Sequence, residues 1–209
     1  MSRKNRSEYG GSVRANRGTL EDFFTLDFRT GSIVNQMTEE RVHVIPTLDW
    51  KKLRDDLAGE FQGKEASFII SRVSSILGAT IAREMMKFLS DPVSLVDNIA
   101  DLSAAAGWGV IAMTGDTQHG GAFEVTVTNC VFCDKEELAH SPQCDFLVGA
   151  IRGMADFIYG TPHRVSEETC AAMGRSFCRF KVEECDDPTL LSSHRNLKHR
   201  EQPELSVDR

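Results

Sequence analysis

The sequence lacks an excess of positive charge and any long apolar run. It has 24 basic against 31 acidic residues, for a formal net charge of −7, whereas a nucleic-acid-binding domain normally presents a basic face. No apolar run approaches the roughly 20 residues that a membrane-spanning helix needs. The N-terminal segment is charged and has no apolar core of the kind found in a secretory signal. We therefore expect a cytoplasmic protein with no membrane span and no nucleic-acid partner.

Motifs for nucleotide chemistry are missing as well. The Gly-rich segment 115–121 has no Lys-Ser or Lys-Thr pair and no following helix, so it is not a phosphate-binding loop. The segment Gly107-Trp108-Gly109 does not continue into a dinucleotide-binding fingerprint. The six histidines are scattered along the chain. The absence of a recognisable catalytic set favours a binding module over an enzyme.

The length and the distribution of apolar residues predict one folded domain with two tails. The chain has 209 residues, and its basic, apolar-poor residues 1–18 predict a disordered tail. Residues 185–209 form a predicted flexible C-terminal tail, which leaves 19–184 as the domain. Apolar periodicity there predicts strands at 23–28, 33–37, 41–45, 108–113, 122–128, 163–166 and 177–182, and helices at 47–57, 65–89, 92–106 and 142–159. Strand pairs separated by helices predict an α+β fold with an antiparallel sheet covered by helices.

Six cysteines are present, and three of them accompany a glutamate near the end of the domain. In the cytoplasm such cysteines are more often thiols or metal ligands than disulfides. Cys144, Glu167, Cys170 and Cys178 together offer three sulfur donors and one carboxylate, a set that suits tetrahedral zinc. Because four protein ligands leave no open coordination position, such a site would be structural and not catalytic.

Two alternatives stay open for these residues. Cysteine also behaves as a small buried hydrophobe, so the three could be core residues, although this does not explain a buried Glu167. Glu167 could instead face water, with Glu168 as a rival ligand and Cys133 in reserve for the fourth position. Cys130 and Cys133 form a lone Cys-x-x-Cys pair, which is a weak signal by itself, and we interpret it as accidental.

The same region resembles the 4-vinyl-reductase (4VR) domain family. The closing segment is the closest match, with Pro142-x-Cys144, a helix containing Gly149 and Gly153, and then Glu167-x-x-Cys170-x-x-x-Gly174-x-x-x-Cys178-x-Phe180. A hairpin near Phe24–Gly31, the RVHVIP strand and the strand ending at Asn129 extend the resemblance over roughly residues 23–182.

The resemblance implies the α+β ligand-binding fold that is shared with TRAPP trafficking subunits. The family includes hydrocarbon-binding proteins, the sensor domains of phenol- and xylene-responsive activators, and a bacteriochlorophyll-biosynthesis protein. By analogy with its aromatic-sensing members, it implies a zinc held by three cysteines and one glutamate, here Cys144, Glu167, Cys170 and Cys178. Those members also place a histidine at the phenol hydroxyl, and the helix end at 101–106 carries none.

These observations predict a sensor that binds an apolar or aromatic small molecule and acts on a separate signalling partner. A mostly apolar pocket is expected between the strand pair 108–128 and the two long helices. Its predicted walls are Phe68, Ile81, Met85, Trp108, Met113, Phe123, Val125, Phe146, Ala150 and Met154, with Ser103 and Thr126 as polar anchors. The same residues could fill a dry core, so a ligand-free interaction scaffold is one alternative. A tetrapyrrole-handling factor of (bacterio)chlorophyll biosynthesis is another.

Small residues along two helices predict self-association. Gly78 with Ala82 and Gly149 with Gly153 permit close helix packing, and members of the 4VR family commonly pair. We therefore expect a homodimer built largely from helices. The alternative is that both edges meet inside one chain.

Overall fold

The computed structural model describes residues 23–27, 30, 32–36, 41–42, 47–87, 89, 92–133 and 138–186. The predicted tail at 1–18 lies outside these residues, as does the predicted C-terminal tail from residue 187 onward. The predicted strand residues 43–45 also lie outside them.

The described residues contain the predicted elements in the predicted order. The elements are β1 (Phe24–Asp27), β2 (Ser32–Asn35), β3 (Arg41–Val42), α1 (Thr47–Glu60), α2 (Gly63–Met86), α3 (Pro92–Ala105), β4 (Val110–Gly115), β5 (Phe123–Thr128), α4 (Asp145–Tyr159), β6 (His163–Thr169) and β7 (Phe177–Glu184). A short 3₁₀ turn at Ala171–Met173 joins β6 to β7. The predicted α+β class is confirmed.

The larger of two antiparallel sheets carries the core. Its strand order is β4-β5-β7-β6, and the smaller sheet has the order β1-β2-β3. Phe123, Val125 and Val127 alternate into the buried face of β5, as a period of two requires. Register places Val125 opposite Phe180 and Val127 opposite Cys178, and these two residues of β7 are fully buried. This face packs against α4.

Helices α2 and α4 pack backbone to backbone. Gly78 faces the carbonyl group of Ala150, and Gly153 faces that of Ser75. A methyl group at either glycine would overlap these atoms. The small-residue edges that predicted contact between two copies therefore meet each other inside one chain, because glycine and serine allow the two helices to approach so closely.

The opposite face of α2 is exposed and apolar. Val73, Ile76 and Leu77 are 62%, 53% and 40% exposed, and Phe68 is 68% exposed. By length and composition alone, the segment Lys64–Met86 could cross a membrane. By this measure one segment does have the composition of a span, against the expectation above, although the core helix of a soluble protein meets the same criterion.

Candidate metal centre and ligand cavity

Five of the six cysteines converge at one end of the larger sheet. Cys144 immediately precedes α4, Cys170 precedes the 3₁₀ turn, and Cys178 lies in β7. Cys130 and Cys133 lie in the loop that follows β5. All five side chains are buried free thiols.

The sulfur atoms have the spacing of a tetrahedral metal site. The Sγ atom of Cys144 is 3.6 Å from that of Cys178 and 3.9 Å from that of Cys170. A zinc–sulfur bond of about 2.3 Å gives a tetrahedron with edges of about 3.8 Å, whereas a disulfide bond is about 2.05 Å long. The ligand atoms of Cys144, Glu167, Cys170 and Cys178 all lie within 4.8 Å of one another. The structure thus brings together the four residues predicted as metal ligands.

A β-bulge directs two of these side chains to the same side. Along a regular strand, residues 167 and 170 would point to opposite faces, because side chains alternate. The pairing of β6 with β7 shifts its register between Glu167 and Thr169, as happens where a bulge adds one residue to a strand. The extra residue resets the alternation, so that both Glu167 and Cys170 reach the cluster.

One carboxylate oxygen holds Glu167 in place and the other has no protein partner. Oε2 accepts a hydrogen bond from the backbone N–H of Cys144 at 2.9 Å. Oε1 is buried without a hydrogen-bond partner among the residues that the structure describes. Burial raises the pKa of this carboxyl group, because the charged form loses its hydration. The rival ligand Glu168 is exposed. A buried oxygen without a partner, beside three thiols, fits the donor set of zinc.

The thiols of the cluster perturb one another. Hydrogen bonding led by the Cys130 thiol lowers the pKa of Cys133 below its usual range. Hydrogen bonding within the same cluster, again led by Cys130, raises the pKa of Cys144 and of Cys178. Neighbouring thiolates repel, so only part of the cluster can ionise without a cation. A metal ion removes this restriction because it deprotonates the thiols that bind it.

The Cys-x-x-Cys pair that we interpreted as accidental joins this cluster. The Sγ atom of Cys130 is 3.7 Å from that of Cys144, and the Sγ atom of Cys133 is 3.6 Å from that of Cys178. Asn129 has a left-handed backbone with φ of 54°, which asparagine adopts more readily than most residues. It turns the chain at the end of β5. The sequence pattern did not reveal the convergence, because spacing within a loop does not fix the direction of the loop.

An apolar cavity of about 50 Å³ lies between α3, α4 and the larger sheet. One buried water needs roughly 10–15 Å³, so the space is large enough for several heavy atoms. Seven of the predicted pocket residues line it: Ser103, Trp108, Met113, Phe123, Val125, Ala150 and Met154.

The cluster and most of the cavity lie in a segment that is recognisable by family. Residues 123–184 match the family model of the vinyl-4-reductase domain. They contain all four predicted metal ligands and the Cys-x-x-Cys pair. The resemblance to the 4VR family is confirmed. No curated protein matches the chain in sequence.

Solved structures share the fold of this 4VR chain. The phenol-responsive sensory domain of the transcription activator PoxR, solved with phenol, aligns with a TM-score of 0.66 at 19% identity over 88% of this chain and 94% of that one. Trafficking protein particle complex subunit 3 from Naegleria fowleri, covalently bound to palmitic acid, aligns with a TM-score of 0.53 at 13% identity over 67% and 93%. A vinyl-4-reductase family protein from Methanocaldococcus jannaschii aligns with a TM-score of 0.49 at 15% identity over 69% and 85%. At the identity of the first two, the likeness establishes the fold.

Four of the predicted pocket walls lie away from the cavity. Phe68 is exposed on α2, and Ile81 and Met85 belong to a second core cluster that includes residues of α3. Phe146 stacks on Phe132, with ring centroids 4.5 Å apart. Since α2 approaches α4 through its small-residue edge, its large side chains are directed elsewhere and do not reach the sheet.

The prediction also missed most of one face of α4. The predicted residues 146, 150 and 154 are four apart, and their direction drifts by about 40° at each step on a helix of 3.6 residues per turn. Full three–four spacing would have added the other residues of α4 that line the cavity, which are Leu147, Ile151, Ala155, Ile158 and Tyr159. Strand alternation likewise places Ile111 in the lining and Thr126 on the opposite face of the sheet.

A buried ion pair stands beside one end of the cavity. The backbone N–H of His163 donates to Oδ1 of Asp156 at 2.7 Å, and its two ring nitrogens contact the carbonyl oxygens of Thr161 at 2.9 Å and Gly120 at 3.1 Å. Two carbonyl acceptors require a proton on both nitrogens, so the imidazole is charged. Burial lowers the pKa of His163, but hydrogen bonding to Asp156 and Gly120 outweighs burial and raises the pKa above its usual value. The pair secures the β4–β5 turn to the end of α4, where Tyr159 lines the cavity.

Aromatic rings connect the cavity of this 4VR chain to the thiol cluster. Trp108 lines the cavity and packs edge to face on Phe132, with ring centroids 5.5 Å apart. Phe132 lies inside the Cys-x-x-Cys pair and stacks on Phe146. Trp50 of α1 packs on both phenylalanines. A displacement of Trp108 therefore has a short route, through a single ring contact, to the loop that carries two of the thiols.

Proposed function

We propose that this chain is a cytoplasmic sensor module that binds a small apolar or aromatic molecule between α3, α4 and the larger sheet. The observation that carries the proposal is the apolar cavity, set in the fold that the phenol-responsive domain of PoxR also has. Such a cavity favours an apolar guest through burial, at roughly 25 cal/mol per Å² of apolar surface before association costs. The buried free thiols suit a reducing compartment.

The size of the cavity favours a single ring or a short apolar chain. Its 50 Å³ is about three to five times the space that one water needs, which suits a few heavy atoms. A tetrapyrrole would require the helices to move apart. Ser103 is 6% exposed in the lining and offers a hydroxyl group to orient a polar tip. It would take the place of the histidine that segment 101–106 lacks.

A thermal-shift series tests the class of ligand and the site together. Toluene, phenol, indole and palmitate are added separately to the full chain. The one-ring compounds should raise Tm, because a ligand that binds only the folded state stabilises it by mass action. Absence of a shift with every compound would favour the interaction scaffold instead.

A pair of matched variants locates the binding site. Ala150→Leu enlarges a side chain of the cavity lining and should abolish the shift. Ala106→Leu makes the same change at an exposed position and should preserve it. If Ala150→Leu retains the wild-type shift, the ligand binds outside this cavity.

We further propose that Cys144, Glu167, Cys170 and Cys178 hold a structural zinc ion. The sulfur spacing, the burial and the unpartnered Oε1 of Glu167 support this assignment. Zinc at this set would join the start of α4 to β6 and β7, and four protein ligands leave no position for a substrate. Its contribution would be folding free energy, which would fix the helix that forms one wall of the cavity.

We also propose a homodimer that buries the outer face of α2 and is read by a separate signalling partner. Ile69, Val73 and Ile76 follow the three–four spacing of a helical seam, and the last two are more than half exposed. In an antiparallel pairing centred on Ile76, Glu65 of one copy would lie near Lys87 of the other, which places opposite charges together at both ends. Sedimentation should show a dimer for wild type and a monomer for Ile76→Glu. A wild-type chain that stays monomeric at all concentrations would refute the dimer.

A further inference from the structure

The thiol cluster contains more ligands than one tetrahedral ion uses. Two sets of four ligand atoms each lie within 4.8 Å. One set is Cys144, Glu167, Cys170 and Cys178, and the other is Cys130, Cys133, Cys144 and Cys178. Cys144 and Cys178 belong to both sets. We propose that the cluster binds two zinc ions, with the thiolates of Cys144 and Cys178 bridging them. This inference rests on the zinc site proposed above and adds a second one to it.

The second set has tetrahedral spacing of its own. Its sulfur–sulfur distances are 3.7 Å between Cys130 and Cys144, 3.6 Å between Cys133 and Cys178, and 3.6 Å between Cys144 and Cys178. Each is close to the edge of about 3.8 Å that zinc–sulfur bonds require. The Cys144–Cys178 pair is thus a common edge of two tetrahedra, and an edge shared in this way consists of bridging ligands.

The direction of the two outer thiols supports a metal over a disulfide. Cys130 approaches Cys144 and Cys133 approaches Cys178, so each sulfur faces a different shared ligand. Both are free thiols. The arrangement is that of two terminal ligands on one ion, and it repeats on the other side of the shared edge, where Glu167 and Cys170 complete the first set.

Charge also favours a second cation. Five thiolates and one carboxylate carry six negative charges in a buried site, and buried charge is costly unless it is compensated. Two divalent ions reduce that total to two. With one ion, Cys130 and Cys133 would have to stay protonated beside thiolates that lie 3.6–3.7 Å away. Two ions use all six ligands, and the thiol protons are released to solvent as the metal binds.

Counting metal ions tests the proposal and separates it from the single site. The full chain is purified with a phosphine reductant and no chelator, and zinc is counted by native mass spectrometry and elemental analysis. Wild type should carry two zinc ions per chain, the double variant Cys130→Ser/Cys133→Ser one, and the control Cys185→Ser two. A single wild-type ion that survives the double substitution overturns the second site and leaves the first intact. A single ion that is lost with the double substitution, or no zinc in either protein, overturns both.

A spectroscopic measurement on wild type does not depend on whether variants fold. After exchange of zinc for cadmium-113, two resonances are expected, because one ion has four sulfur ligands and the other has three. Each resonance should be split by coupling to the other cadmium through the shared thiolates. A single resonance, or two resonances without coupling, overturns the bridged pair.

Discussion

Gly153→Ala should destabilise the protein, because Gly153 lies where α4 meets α2 with no room for a methyl group. A Cβ atom there would lie 2.7 Å from the carbonyl carbon of Ser75 and 2.9 Å from its Cα, whereas ordinary contact begins at 3.4 Å. The helices would have to separate by at least 0.7 Å, the difference between 3.4 and 2.7 Å. No rotamer change relieves a clash with backbone, so we take the upper end of the usual overpacking cost, about 3 kcal/mol. The better helix propensity of alanine offsets about 1 kcal/mol, which leaves a net loss of about 2 kcal/mol.

Urea unfolding followed by circular dichroism measures this loss. The matched control is Gly59→Ala on α1, where nothing lies within 4 Å of the added Cβ. That variant should gain between a few tenths and about 1 kcal/mol from helix propensity. The two substitutions are chemically identical and should have opposite signs. A Gly153→Ala protein as stable as wild type would refute the close packing of α2 on α4.

Three further predictions concern the site. Cys170→Ser should remove the zinc bound at the Glu167-containing set and lower Tm strongly, while Cys185→Ser should change Tm little; elemental analysis and thermal unfolding check both. Ser103→Ala should weaken phenol binding and leave toluene binding unchanged in calorimetry, since only phenol has a hydroxyl group to orient; equal losses for both would contradict the anchor role. His163→Gln should cost most stability at low pH. The folded pKa of His163 is raised, so its contribution is full below the unfolded pKa of about 6.5 and is lost as pH rises through the folded pKa. Unfolding free energies of wild type and variant should therefore converge as pH rises, and a pH-independent difference would argue against a charged imidazole.

Local patterns predicted most of the elements because each pattern depends on neighbours in the sequence. Alternation at Phe123, Val125 and Val127 predicted a strand with one buried face, and β5 has that face. The strand order could not be predicted in the same way. Strand β7 lies between β5 and β6, and this pairing depends on contacts between segments that are far apart in the chain.

The candidate site divides along the same line. Spacing and family resemblance identified Cys144, Glu167, Cys170 and Cys178, which the structure brings together. The convergence of the Cys-x-x-Cys pair depends on the turn at Asn129 and on the packing of the loop, so spacing alone assigned it no role. The cavity walls predicted on α2 are elsewhere for a related reason: a glycine edge brings two helix backbones together and thereby decides which large side chains are turned away from the sheet.

The close contact between α2 and α4 gives the cavity one fixed side and one yielding side. Helix α4 is held along its length by the glycine contacts with α2 and at its first residues by the thiol cluster. Helix α3 contributes Val96, Ile99 and Ser103 to the lining, but among the described residues it touches α2 far less extensively than α4 does. A guest slightly larger than the empty space would therefore displace α3. That movement would pass along the short segment after α3 to Trp108, and from there to the Cys-x-x-Cys loop, so the mobile wall and the metal-binding loop would respond to the same event.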